Sequence, residues 1–277
     1  MIHLLQQKLG SMTKALEILY VMENVKPAAR IIIDEDKADE LTSLLANLIA
    51  VKSSFKIKKE VDKNREYSDK GTRLPASSKE KGQLFLYISK SKEKAELAKK
   101  LEEENKHKEL GIALGYPKCC SEFFEKNFPV ESKKQNDYTL ATLKSSEGFK
   151  FPFYTNITIR HLDLTLLNHF PCSFSCKASI TKAKRHLEVI EKHSRELGII
   201  FKGMLKGAVV YTEKSGVFLL RESSLNKNKI TYRGVMSSTN NSYYDLLKKS
   251  ETIEIIGKNH IKTEKDDIKG IGFMLFY

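Results

Sequence analysis

Leu5, Leu9, Met12, Leu16, Leu19 and Tyr20 recur at spacings of three and four, which predicts a helix buried along one stripe at the head of the chain. Arg30–Asp34 is a strand-length apolar run, and Leu41, Leu44, Leu45 and Leu48 return to helical spacing. Phe55–Val61 alternates apolar and polar positions as a strand does. Residues 62–82 are polar, rich in lysine and broken by Gly71, Pro75 and Gly82, so they predict a long loop. The run from Gly82 to Ser89 then reads as a buried strand. Alternating helix and strand signals predict a small α/β layer over residues 1–90.

Ser91–Lys108 predicts a charged helix with Ala95, Leu97, Ala98 and Leu101 on its inner side. It opens a mainly helical region over 91–198. There Phe123, Phe124 and Phe128 share one helical side, and Ile180, Ala183, Leu187, Ile190 and Leu197 another. Lys182, Lys184, Arg185, Lys192 and Arg195 fall mostly on the outer side of that second helix. From 199 to 277 the texture becomes β-rich, with a hairpin turning near Lys214–Gly216 and further short strands near 229–236, 251–257, 259–264 and 270–277. The expected class is α+β.

Within 277 residues and 40% apolar content, no stretch reaches the ~18–20 apolar residues of a membrane helix. The N-terminal segment reads as a first helix and not as an export signal. A reducing, cytoplasmic compartment is therefore expected, where cysteines serve ligation or catalysis and not disulfides. Net charge is +13, but residues 109–176 balance seven basic against seven acidic side chains, whereas 177–233 carry thirteen against five. The excess thus flanks the centre of the chain. A solvated lysine-rich surface is one reading, and RNA or another polyanion as partner is the other. Few aromatics interleave 177–206, so base stacking is not expected there.

All four cysteines lie in two pairs, Cys119–Cys120 and Cys172/Cys176. Gly115-Tyr116-Pro117 signals a turn into a helix, which places Cys119 and Cys120 in a first turn. Pro171 predicts the same before Cys172, so that Cys172 and Cys176 lie at i and i+4 on one face. Helix starts favour thiolates and anionic groups. The C-x3-C pair suits zinc. The vicinal pair suits one ion poorly, because neighbours on a helix diverge by about 100°. A cluster is more forgiving, since each thiolate can reach a different iron.

The expected cofactor is therefore an iron–sulfur cluster, with zinc as the alternative. Its candidate ligands are Cys119, Cys120, Cys172 and Cys176, with either Cys119 or Cys120 free to stand aside, His169 as a non-thiol ligand or proton donor and His161 further back. An open metal position would act as a Lewis acid on a phosphate-rich substrate such as RNA. A metal-free enzyme using a low-pKa cysteine, and a zinc-stapled, non-catalytic RNA-binding module, are competing readings. Four ordinary buried thiols are the bland one. Radical S-adenosylmethionine chemistry is disfavoured, because Ser179 stands where C-x3-C-x2-C needs its third cysteine. There is no C-x-x-C, phosphate-binding glycine loop, G-x-S-x-G element or paired-carboxylate pattern. His186 and His193 read as solvated or partly packed, and His3, His107 and His260 as lone side chains.

GYPKCC, from Gly115 to Cys120, together with PCSFSC, from Pro171 to Cys176, resembles an uncharacterised, mostly archaeal family with GYPxCC and PCSxxC blocks. His169 fits the same pattern. The resemblance spans roughly residues 85–195 and implies that the cysteine constellation belongs together; it implies no activity.

Overall fold

Gly10, at φ +63°, divides the first apolar stripe into α1 (Ile2–Leu9) and α2 (Met12–Met22), and Ser11 caps α2 by accepting from the Lys14 amide. The computed structural model describes residues 2–45, 47–59 and 71–277; the expected strand end at 60–61 and the first part, 62–70, of the loop expected over 62–82 lie outside them, while residues 71–75 of that loop form a strand paired with 55–59. After α2 come β1 (Ala29–Asp34), α3 (Ala38–Leu44), β2 (Ile49–Lys59), β3 (Gly71–Pro75) and β4 (Gln83–Ser89). These strands form an antiparallel sheet in the order β1-β4-β2-β3.

The sequence of β4 explains its position. Leu84, Leu86 and Ile88 point to a core shared with Ala15, Ile18 and Val21 of α2. Phe85 and Tyr87 point the other way, onto Ala98 and Leu101 of α4 (Lys92–Glu103) and Leu110 of α5 (His107–Ala113). Successive side chains are buried on opposite faces, so the run is apolar throughout. The expected single helix from Ser91 to Lys108 is broken after Glu103, where Asn105 takes a left-handed φ of +55°. Asparagine tolerates that conformation better than most residues.

The middle of the chain holds α6 (Lys118–Glu131), α7 (Thr139–Lys144), the short β5 (Lys150–Phe151), α8 (Lys177–His193) and α9 (Arg195–Met204). The helix expected over 178–197 is two helices, because Ser194 ends α8 and caps α9 through the Leu197 amide. The remainder is β6 (Gly207–Thr212), β7 (Gly216–Arg221), β8 (Ser224–Asn226), β9 (Lys229–Thr231), β10 (Gly234–Ser237), α10 (Ser242–Lys249), β11 (Thr252–Gly257), β12 (His260–Lys262), β13 (Asp267–Lys269) and β14 (Gly272–Phe276). The hairpin expected near 214–216 is β6–β7. The helix α10, capped by Asn241, stands where no element was expected.

Sheet β10-β7-β6-β14-β5 sits between two cores. Val209, Tyr211, Leu219 and Met274 face the helical middle, together with Leu16, Phe174 and Leu187. Val210, Phe218 and Phe273 face the third sheet, β13-β12-β11-β9-β8, which supplies Ile230, Ile253 and Ile261. Helices and several sheets together make the fold α+β. No helix among the described residues is long and apolar enough to cross a membrane.

Candidate metal centre

The first cysteine pair is placed by a tight turn. Gly115 has φ +79°, and a Cβ there would stand 2.6 Å from Pro27 Cδ. The Tyr116 amide donates back to the Gly111 carbonyl at 2.8 Å, closing α5. Pro117 then caps α6, its carbonyl accepting from the Cys120 and Ser121 amides at 2.9 and 3.0 Å. Cys119 and Cys120 are the second and third residues of that helix, as the turn signal implied.

The second pair is held differently from the expectation. Residues 171–176 form no helix, and α8 begins only at Lys177, with Cys176 in extended geometry as its cap. The Pro171 carbonyl accepts from Thr142 Oγ1 at 2.9 Å, the Phe174 amide donates to Ser146 Oγ at 2.8 Å, and the Phe174 carbonyl accepts from Thr155 Oγ1 at 2.6 Å. These side chains take the backbone groups that a helical turn would use. Phe174 is thereby drawn fully into the core against Phe151 and Phe276.

The turn folds Cys172 and Cys176 onto the start of α6. Sulfur–sulfur distances are 3.9 Å for Cys119–Cys120, 3.8 Å for Cys119–Cys176 and 3.7 Å for Cys120–Cys176. All four sulfurs lie within 4.8 Å of one another, a group that can hold a metal ion. The objection that adjacent helical residues diverge does not hold here. Helical side chains tilt toward the N-terminus, so at a first turn both thiols converge on the space ahead of the helix. Cys120 and Cys176 are buried, Cys172 is half-buried and Cys119 is exposed. The Cys172 amide donates to Cys120 Sγ at 3.4 Å.

The thiols do not titrate alike. Hydrogen bonding from Cys120, with help from the Ser179 amide and hydroxyl, holds Cys176 down at about 4. The same contact with Cys176, followed by burial, pushes Cys120 well above the usual thiol range. Burial, then the neighbouring Cys176, pushes Cys172 up to about 12. Helix starts therefore do not lower every thiol, because the closely packed sulfurs compete for one negative charge. A bound cation reverses this by displacing the remaining protons.

His169 lies behind the sulfurs. Its Nε2 meets Ser179 Oγ at 2.9 Å, and Ser179 Oγ meets Cys120 Sγ at 3.2 Å. Complete burial holds the imidazole neutral, with its pKa lowered to about 3. The four-sulfur group does not include it. His161 stands beside the buried Asp137, at 3.6 Å. Ser179, which in the sequence stands only in place of a third cysteine, is the link between Cys120 and His169.

Three other histidines depart from expectation. His186 is fully buried, stacked on Tyr20 at 3.9 Å, and its Nδ1 meets the Leu166 carbonyl at 2.6 Å. His260 pairs with Asp267. His107 packs against Phe128 at 3.9 Å, in the wall of a cavity beside the cysteines. Lys184, Arg185 and Lys192 on α8 and Arg195 at the start of α9 are exposed as expected. Lys182 instead turns partly inward, and burial lowers it to about 8.

Compared with known proteins, the chain matches no protein-family model, no curated protein and no solved structure.

Proposed function

We propose that the four cysteines hold one metal ion in a closed tetrahedral thiolate site, and that this ion is zinc. The sulfur spacing carries the reading. Thiolates ~2.3 Å from a central ion stand about 3.8 Å apart at the corners of a tetrahedron, and the pairs among Cys119, Cys120 and Cys176 lie at 3.7–3.9 Å. In an iron–sulfur cluster the thiolates sit on different irons and point outward. A group bounded by 4.8 Å is too tight for that, which favours the zinc alternative over the cluster. Four protein ligands leave no open position, so the ion ties α6 to the start of α8 and does not act as a Lewis acid.

The exposed Lys184, Arg185, Lys192 and Arg195 support a polyanion such as RNA as partner of this scaffold. Its binding should weaken steeply with salt.

Metal and acid-labile sulfide analysis of protein purified without oxygen tests the site, with the double variant Cys172→Ser, Cys176→Ser beside it. The expected result is one zinc per chain, no sulfide and no visible absorbance, with zinc lost in the variant. Sulfide and colour would restore the cluster. Metal-free protein that stays folded would put thiol chemistry first.

A further inference from the structure

A cavity of about 400 Å³ opens beside the cysteines, in the size range of small-molecule sites. Its wall includes Cys120 and Ser121 of α6 and His169 from the segment that leads to Cys172. Phe85, Tyr116, Phe124, Phe128 and Phe170 bring aromatic rings to the lining, beside His107. They form pairs around the space, His107 on Phe128 at 3.9 Å and Tyr116 against His169 at 5.0 Å.

The polar groups in this wall are left incomplete. Ser121 Oγ, Asn136 Oδ1 and His169 Nδ1 are buried atoms without a hydrogen-bond partner. Ser121 and His169 are more than nine-tenths buried. Each unpaired buried atom costs about 1–3 kcal/mol, so three around one cavity point to a ligand that completes them. Asn105 and Asn168 add amide edges that both donate and accept. Of the two guanidiniums in this wall, Arg30 is spent on Glu102 at 2.6 Å and lies over Phe85 at 4.9 Å, while Arg73 lies over Phe55 at 3.8 Å and donates to Asn105 Oδ1 and the Glu102 carbonyl at 3.5 and 3.4 Å.

From rings for stacking, amides and unpaired polar atoms for an edge, and little free charge, we propose that this cavity binds a nucleobase. Proteins recognise a base taken out of a stack in this way, between aromatic faces and through its hydrogen-bonding edge. An adjoining cavity of about 420 Å³ shares Arg30, Tyr116, Asn168, His169 and Phe170 with the first, and Lys14 lines it. A sugar and phosphate attached to the base extend that way. The inference stands on the cavity alone and does not require the metal.

The test is saturable binding to the full chain by calorimetry, with metal content measured on the same sample. The probes are the four ribonucleosides, their 5′-monophosphates, a single-stranded RNA oligonucleotide, and indole as a ring lacking a base's edge. One base is expected to bind more tightly than indole. Ser121→Ala should weaken it about tenfold without lowering Tm, because the variant removes an unpaired hydroxyl. Phe124→Leu should weaken it also, by loss of stacking. Tighter binding of the monophosphate, or of the oligonucleotide, upholds the proposal and identifies the base's source. No saturable probe, indole binding as tightly as every base, or no effect of Ser121→Ala would overturn it, leaving a water-filled cavity. Base binding by protein without zinc would uphold the cavity while sinking the metal centre.

Discussion

Asp163 does its work through a helix far away in the chain. Held at φ +57°, it turns its carboxylate onto the start of α2, accepting from Ser11 Oγ at 2.6 Å, from the Thr13 amide at 3.1 Å and from the Met12 amide. A helix start carries unpaired amides and partial positive charge, which a carboxylate relieves. Asp163→Ala should therefore cost about 1–2 kcal/mol, read as a lower urea midpoint with an unchanged slope. Asp163→Asn should cost less, since asparagine keeps one acceptor oxygen and tolerates the left-handed backbone. Equal stability of both variants and the parent would mean that Ser11 caps α2 unaided.

At the scale of elements, the cysteine site depends on α7 and the turn that follows it, which supply no ligand. Thr142 and Ser146 grip the 171–176 turn at Pro171 and at Phe174, so the distance between the two cysteine pairs is fixed before a metal binds. Groups that orient ligands are typically worth 10–100-fold in metal affinity. Ser146→Ala should lower zinc affinity by about tenfold in competition with a chelator, while far-ultraviolet circular dichroism stays the same; unchanged affinity would make the turn self-supporting.

The same elements mark where sequence reasoning reached and where it stopped. The first pair was legible because Gly115 and Pro117 carry a local turn signal. The second was misread as a helix face because its conformation is set by Thr142, Ser146 and Thr155, none nearby in sequence. Apolar periodicity located α2, α8 and β4 but ran through Asn105 and Ser194, single polar residues whose turn and capping roles leave no gap in the pattern. His107 gave no signal at all, since its partners Phe124 and Phe128 reach it only through the packing of α5 against α6.

For the whole molecule, the largest core joins α2 and α8 to the 151–174 segment and the face of β6, β7 and β14. A titratable group lies inside that junction. His186, stacked on Tyr20 and bonded to the Leu166 carbonyl, is pushed well below the ordinary histidine range by burial, and His169 is lowered to about 3. Both are neutral in the folded protein, whereas an unfolded histidine takes a proton near pH 6.5. Below that pH the unfolded chain binds more protons, so stability is complete above about 6.5 and falls as the medium is acidified toward the folded values. Each histidine contributes at most about 1.4 kcal/mol per pH unit to that slope. Thiolate protonation and loss of metal would also destabilise in acid, so the measurement belongs in chelator, where only the protein titrates. Urea midpoints between pH 6.5 and 5 should fall for the parent, and His186→Gln should flatten the fall by up to about 1.4 kcal/mol per unit whatever its absolute stability. A slope that His186→Gln leaves unchanged would mean that the core admits the imidazolium without opening, and that the fall comes from the other buried histidines, His161 and His169, which burial also lowers to about 3.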